Sequence, residues 1–425
     1  MCGVALVLFN NQHTHGVQHG KNHNANVGKD GRWRAAVPTP EAGGPYTIEL
    51  SDGERLTLRD VLIGEVWLCS GQSNMEMPVR GFFNQPVEGS ADAIIRAKTT
   101  TPIRLCTVKR GTARTPQEEC TAQWLKHTPE AVAGTSATAY FFAQYLQSVL
   151  DVPVGVIVTC WGGTPVEAWM DRETISGFKE FDLSFLDNPD QIDRPQYKPC
   201  GLYNGMIAPL VPYTVKGFLW YQGESNRDNP ETYARLLEAM AAEWRARWGD
   251  AKQEMPFIYV QIAPYAYDER PDGFDAPRVV EAQLRALDRI PQAAMVATTD
   301  LGQSDCIHPA DKRTVGERAA VEALRMVYAQ DIPDASGMRP SGVVFAGRKA
   351  VVTFDNAQYG LLPCAEPVTG FEVADEEGIF HPAEARIVAN RPAVEVASPE
   401  VPRPTAVRYA FRNYAPGNLR NTLGY

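Results

Sequence analysis

The chain has 425 residues, more than one hydrophobic core usually organises, so one large domain with one or two smaller ones is expected. Hydrophobic residues at 44% and charged residues at 22% are the proportions of a globular protein, and no apolar run approaches the roughly 20 residues of a membrane-spanning helix. With 41 Lys and Arg against 51 Asp and Glu, the net charge of −10 argues against nucleic acid or an anionic membrane surface as partner, while leaving room for a local arginine to hold an anionic substrate.

Residues 1–27 read as a tail apart from the fold. Met1 to Phe9 is apolar but has no basic start, and Asn10-Asn11-Gln12 follows where a signal peptide would carry small residues. His13, His15, His19 and His23 would need a common face to bind a metal, and Gly16 and Gly20 break any helix that would align them, so a mobile His/Asn-rich tail is expected. Residues 28–60 read as a partial β-module: Trp33 to Val37, Tyr46 to Leu50 and Arg55 to Leu58 are short β-like pieces separated by proline and glycine turns.

From 61 to 333 the pattern becomes β/α alternation. Apolar runs at Val61 to Leu68, Val152 to Cys160, Val215 to Tyr221, Phe257 to Ile262 and Ala294 to Thr299 predict buried parallel strands between crossover helices. One helix is well marked: after Asn229-Pro230, apolar residues recur at Tyr233, Leu236, Leu237, Met240, Trp244 and Trp248, and Gly249 ends the stripe. Further stripes run through Tyr140, Phe141, Tyr145, Leu146 and Leu150, and through Val321, Leu324 and Val327. From 334 to 425 short strand-like segments with frequent Gly and Pro indicate a C-terminal β-sandwich-like domain. The eight cysteines include no Cys-x-x-Cys pair, so no zinc ribbon or dithiol redox site is indicated, and Cys69 and Cys160 lie in apolar runs as buried thiols.

Four segments carry chemistry. Gly64 to Glu76 ends an apolar β-like run and places serine among small and polar residues, a candidate nucleophile at a turn. Trp161-Gly162-Gly163-Thr164, Gln222-Gly223-Glu224-Ser225-Asn226 and Asp305-Cys306-Ile307-His308-Pro309 follow in order. Ester hydrolysis by serine needs a base, a group to orient it and donors for the oxyanion. His308 is the base of choice, because four of the other six histidines lie in the tail, His127 in a loop and His381 in the C-terminal β region. Asp305, three residues before it, can reach the imidazole and hold its tautomer. No pattern for metal, phosphate or dinucleotide binding is present, so no cofactor is expected.

The order Gly-x-Ser-Asn, Trp-Gly-Gly-Thr-Pro-x-Glu-Ala-Trp, Trp-Tyr-Gln-Gly-Glu-Ser-Asn and Ile-His-Pro before a helix resembles the sialate O-acetylesterases of the SGNH hydrolase superfamily, over about residues 30–422. The resemblance implies an α/β fold, a flavodoxin-like α/β/α sandwich with flanking β-sandwich-like segments. It maps the nucleophile to Ser73 and the catalytic histidine to His308. The oxyanion donors expected are the Ser73 N–H, a backbone N–H of Gly162 or Gly163, and the Gln222 amide, with Asn226 as a competing amide. Asn74, Glu224 and Asn226 are expected near the substrate or behind these groups. Asp300 competes with Asp305 as orienter, with a backbone carbonyl as a third choice. The family's long N-terminal β-module is represented only from about residue 28 and the chain stops early at Tyr425, so truncated termini are expected, and the implied extracytoplasmic location has no signal peptide to support it. The partner implied is an acetylated sugar, sialic acid first and acetylated xylan or another polysaccharide second, and a carbohydrate-binding protein without turnover is the reading from another class.

Overall fold

The computed structural model describes residues 4–10, 14–18, 21–25, 28–29, 32–51, 54–188, 193–211, 213–267, 273–415 and 417–425, with the strands before residue 39 described by their backbone. Its centre is a seven-stranded sheet in the order Ala293–Val296, Phe257–Val260, Gly217–Tyr221, Glu65–Gly71, Val154–Cys160, Ile103–Thr107 and Trp124–Lys126, parallel except for the last strand. Successive side chains of these strands point to opposite faces, and both faces are apolar. Leu68, Ile157, Phe218, Trp220 and Tyr259 enter one core, whereas Trp67, Cys69, Val156, Leu219, Tyr221 and Ile258 enter the other.

Helices Pro230–Arg247 and Asp275–Ala286 cover the first face, the former burying Tyr233, Leu236, Leu237, Met240 and Trp244. Helices Ala137–Leu150 and Lys312–Val327 cover the second and pack against each other. Their starts are capped as their sequences dictate: Ser136 Oγ accepts from the Ala139 N–H, and Asp311 from the Thr314 N–H. The result is the expected α/β/α sandwich.

Several sequence expectations need adjustment. The run from Val61 divides at Gly64, because Arg55–Ile63 pairs with Gly43–Ser51 in a separate antiparallel sheet while Glu65–Gly71 joins the central one. Strands Ile103–Thr107 and Trp124–Lys126 were not anticipated. Within residues 1–27, read as a mobile tail, Thr14–Gln18 pairs with both Lys21–Ala25 and Gly43–Ser51, and Val4–Asn10 pairs with Arg32–Pro38. Cys2, His13 and His19 lie outside the described residues. His127 is buried, with its ring against Tyr140 and Nδ1 at the Lys98 backbone.

The C-terminal region forms antiparallel sheets around a core of Val352, Phe371, Val373, Val394 and Val396. It is tied to the central domain through Asn413, whose backbone N–H donates to Gly273 and whose Oδ1 accepts from Ala276. Cys69 and Cys160 are buried, and the described cysteines are unpaired.

Candidate active site

Three adjacent parallel strands end at one edge of the sheet, where Gly71 lies beside both Cys160 and Tyr221. The first, second and third sequence blocks leave from these ends, so the sheet gathers residues about 150 positions apart, which is the usual place for a ligand crevice in an open α/β sheet. Gly71 has φ 143°, and a Cβ there would come within 2.1 Å of the Tyr221 carbonyl oxygen, so the close approach requires glycine.

Ser73 opens a single helical turn, Ser73–Glu76, immediately after the central strand. Among the described residues nothing accepts from its N–H or bonds its Oγ. Gly162 presses against it: a Cβ on Gly162 would meet Ser73 Cβ at 3.2 Å and Glu76 Oε2 at 3.1 Å. The Gly162 N–H donates to Glu76 Oε2 at 2.8 Å, while Arg110 Nε donates to Glu76 Oε1 at 2.8 Å and its guanidinium lies 5.3 Å from the Trp161 ring. One expected oxyanion donor is thus engaged by a carboxylate. The neighbouring Gly163 N–H has no acceptor among the described residues and sits on an exposed turn at φ 76°.

Gln222 is placed differently from expectation. It is fully buried, its Nε2 donates to Thr164 O at 3.1 Å and Asn226 Oδ1 at 2.6 Å, and its Oε1 accepts from the Tyr233 hydroxyl at 2.9 Å. Both amide hydrogens are spent inside the protein, so Gln222 is not an open oxyanion donor in this arrangement. Asn226 also turns inward, accepting from the Val166 N–H and donating to Glu167. The two amides brace the second block against the third.

His308 returns to the same place from the loop preceding helix Lys312–Val327. Its Nδ1 pairs with Gln85 Oε1 at 2.7 Å, and Phe82 packs edge-on against the ring. An Nδ1–H donated to an amide oxygen leaves Nε2 bare as the acceptor. Burial, together with the nearby Lys312 ammonium, pushes His308 down to about 4, so the ring is neutral at ordinary pH. No hydrogen bond joins Ser73 and His308 here; in unliganded sites such bonds are often long and close only around substrate.

The orienting acid is where the sequence reading departs furthest from the geometry. Asp305 is exposed and makes no hydrogen bond to His308, whose Nδ1 already has Gln85. Asp300 is equally distant from that role: it receives both ends of the Arg318 guanidinium at 2.9 Å and lies 3.6 Å from Arg420. It is an ion-pair partner joining the central domain to the C-terminal region.

Behind Ser73 and His308 lies a buried polar bridge. Asn74 Nδ2 donates to Glu224 Oε1 at 2.6 Å and to the Ile307 carbonyl at 3.0 Å, while Asn74 Oδ1 accepts from Lys312 Nζ at 2.7 Å. Lys312 also donates to the Pro309 carbonyl at 2.8 Å. Burial raises the Glu224 carboxyl, and its Oε2 has no hydrogen-bond partner among the described residues. Sequence reasoning placed Asn74 and Glu224 near the site but missed Gln85, Glu76 and Lys312. A lone glutamine in a loop and a lysine at a helix start carry no local signal.

A cavity of about 730 Å³ between the central domain and the C-terminal sheets, lined by Val280, Met295, Phe354 and Tyr409, contains neither Ser73 nor His308. Among the described residues no cluster of His, Cys, Asp and Glu is arranged to hold a metal ion, and no helix is long and apolar enough to cross a membrane.

Comparison with known proteins bears on the family and the fold. Residues 63–325 match the family model described as carbohydrate esterase, sialic acid-specific acetylesterase. Sialate O-acetylesterases of Homo sapiens and Pongo abelii are each 30% identical over 350 residues, covering 75% of this chain and 65% of theirs. The chain therefore spans just under two thirds of the length of these relatives. A solved carbohydrate acetylesterase from Xanthomonas citri superposes with a TM-score of 0.89 at 32% identity, covering 99% of this chain and 93% of its own. The match of more than half the chain to one family model establishes that the chain belongs to the sialic acid-specific acetylesterase family of carbohydrate esterases.

Proposed function

We propose that the protein is a serine acetylesterase that removes O-acetyl groups from sugars, with Ser73 as nucleophile and His308 as general base. The observation that carries this reading is the bond from Asn74 to the Ile307 carbonyl, which joins the residue after an unengaged Ser73 to the residue before a His308 whose Nδ1 is fixed by Gln85. His308 Nε2 takes the Ser73 proton as Oγ attacks the acetyl carbonyl. The Ser73 N–H, with a second N–H from the Gly163 turn, receives the developing oxyanion. Collapse of the tetrahedral intermediate breaks the bond to the sugar oxygen, which takes the proton back from His308, and the acetyl group stays on Ser73. Water, deprotonated by His308, then attacks the acetyl-enzyme and releases acetate and free Ser73. No metal enters these steps.

Family membership favours O-acetylated sialic acid as the sugar. Next to Gly162 the Trp161 ring, backed by Arg110 that is ion-paired with Glu76, supplies an aromatic face suited to a sugar ring. The test is acetate release from O-acetylated sialic acids and from acetylated xylan by wild type and Ser73→Ala. Release from the sialic acids, lost by at least 1,000-fold in the variant, is expected, the scale of loss known for a removed serine nucleophile. Preference for xylan would move the substrate to neutral polysaccharides, and no release from either by a folded sample would leave a binding protein.

A further inference from the structure

Resting on the Ser73–His308 reading, we propose that Lys312 is a positioning residue of the hydrolytic site, clamping the loop that carries the histidine to the turn that carries the serine. Lys312 is 1% exposed, and its ammonium reaches two acceptors, Asn74 Oδ1 at 2.7 Å and the Pro309 carbonyl at 2.8 Å. Asn74 directly follows Ser73, and Pro309 directly follows His308. The residue on the other side of His308 is held too, because Asn74 Nδ2 bonds the Ile307 carbonyl. The histidine thus sits between two anchored peptides, both tied to the residue beside the nucleophile.

Lys312 also sets the polarity of that clamp. An ammonium only donates, so it obliges Asn74 to present Oδ1 to it, which turns the Nδ2 hydrogens toward Ile307 and Glu224. Without the ammonium, Asn74 Oδ1 loses its donor and the Pro309 peptide loses its tie to Asn74, so the histidine is held on one side only. A buried ammonium is costly, and an apolar side chain would fill the same space more cheaply, so packing alone does not account for a lysine here. Its surroundings make the charge tolerable. Glu224 faces it through Asn74, Asp311 and Cys306 lie on its own loop, and the Tyr221 ring centroid is 5.9 Å from Nζ.

The charge acts on the base as well. Among the described residues the His308 ring meets Gln85 and Phe82, Cys306 Sγ donates to the His308 carbonyl at 3.1 Å, and Lys312 is the charge that acts on the imidazole. Its positive charge disfavours a protonated imidazole, so His308 remains a competent base in acid conditions. The ammonium itself is pushed by burial to about 7, with Glu224 acting in the opposite direction.

Lys312→Met keeps the volume and removes both donor and charge. The expected result is a fall in kcat of about 10- to 100-fold with KM within about threefold, the loss typical of a reacting pair misplaced by about 1 Å. The acid limb of the kcat/KM profile should move to higher pH, and an imidazole NMR titration should show His308 rising above about 4, by the smaller part of its depression, because burial, the larger cause, remains. A simple fastener would leave that titration unchanged. Should the methionine variant fail to fold, Lys312→Gln, which keeps a neutral donor, serves the same titration. Wild-type kcat in Lys312→Met, or a His308 pKa that does not rise in the folded variant, overturns the proposal. The titration needs no substrate, so its result stands apart from the acetate-release assay, whose failure would count against the serine esterase reading instead.

Discussion

At the scale of single residues the site turns on how His308 is held. A carboxylate at Nδ1 would stabilise the imidazolium and raise its pKa, whereas the Gln85 amide oxygen orients the ring without adding charge. That agrees with a histidine depressed to about 4. Activity should therefore persist into acid and be lost only as the pH falls through about 4, where the base becomes protonated. Gln85→Ala should lower kcat by about 10- to 100-fold, because the ring loses its tautomer and orientation, and Asp305→Asn should leave kcat within about threefold. Steady-state kinetics on the two variants checks this; loss in Asp305→Asn with retention in Gln85→Ala would give the role to the exposed carboxylate. Ser73 and His308 stand out as candidates in the sequence because each lies in a run of neighbours with a distinctive chemistry. Gln85 and Lys312 do not, since their partners are 223 and 238 positions away and only the folded sheet brings them together.

At the scale of elements the sequence was clearest where burial is one-sided and long. Helix Pro230–Arg247 has a proline in its first turn, an apolar stripe and Gly249 in a left-handed conformation just beyond it, all visible in the chain. Trp244 from this stripe packs edge-on against Phe218 and Trp220, and its indole N–H bonds the Trp169 carbonyl at 3.1 Å. Trp244→Ala should cost about 3–5 kcal/mol through the cavity and the lost contacts. The expected signature is a lower midpoint in chemical denaturation, with the pH profile of the folded enzyme unchanged because the indole lies away from His308. Helix Asp275–Ala286 carries no such stripe to read, because its buried face is built largely of small and polar residues, Ala276, Ala282, Gln283 and Ala286 beside Val279. Strand Trp124–Lys126 escaped notice because three residues at a sheet edge give too little alternation to read.

At the scale of the whole molecule, Asp300 illustrates how sequence proximity misleads. Asp300 lies eight positions before His308 in the loop that leaves the edge strand, near enough in the chain to compete for the role of orienting acid. In the fold it points the other way, into an ion cluster where Arg318 grips it with two hydrogen bonds and also donates to the Gly424 carbonyl at 2.7 Å, with Arg420 adding a second cation. Arg318 belongs to the helix packed on the central sheet, whereas Arg420 and Gly424 belong to the C-terminal region, so the cluster fastens one to the other. Asp300→Asn removes the charge and one acceptor while leaving the largely buried Arg318 cation short of a partner, an imbalance that typically costs about 3–5 kcal/mol. The expected outcome is a marked fall in melting temperature, with kcat and KM near wild type at temperatures where the variant is folded. The two measurements separate fastening from catalysis: a variant that melts normally yet has lost turnover would place Asp300 in the hydrolytic machinery and detach the C-terminal region from this account of the ion cluster.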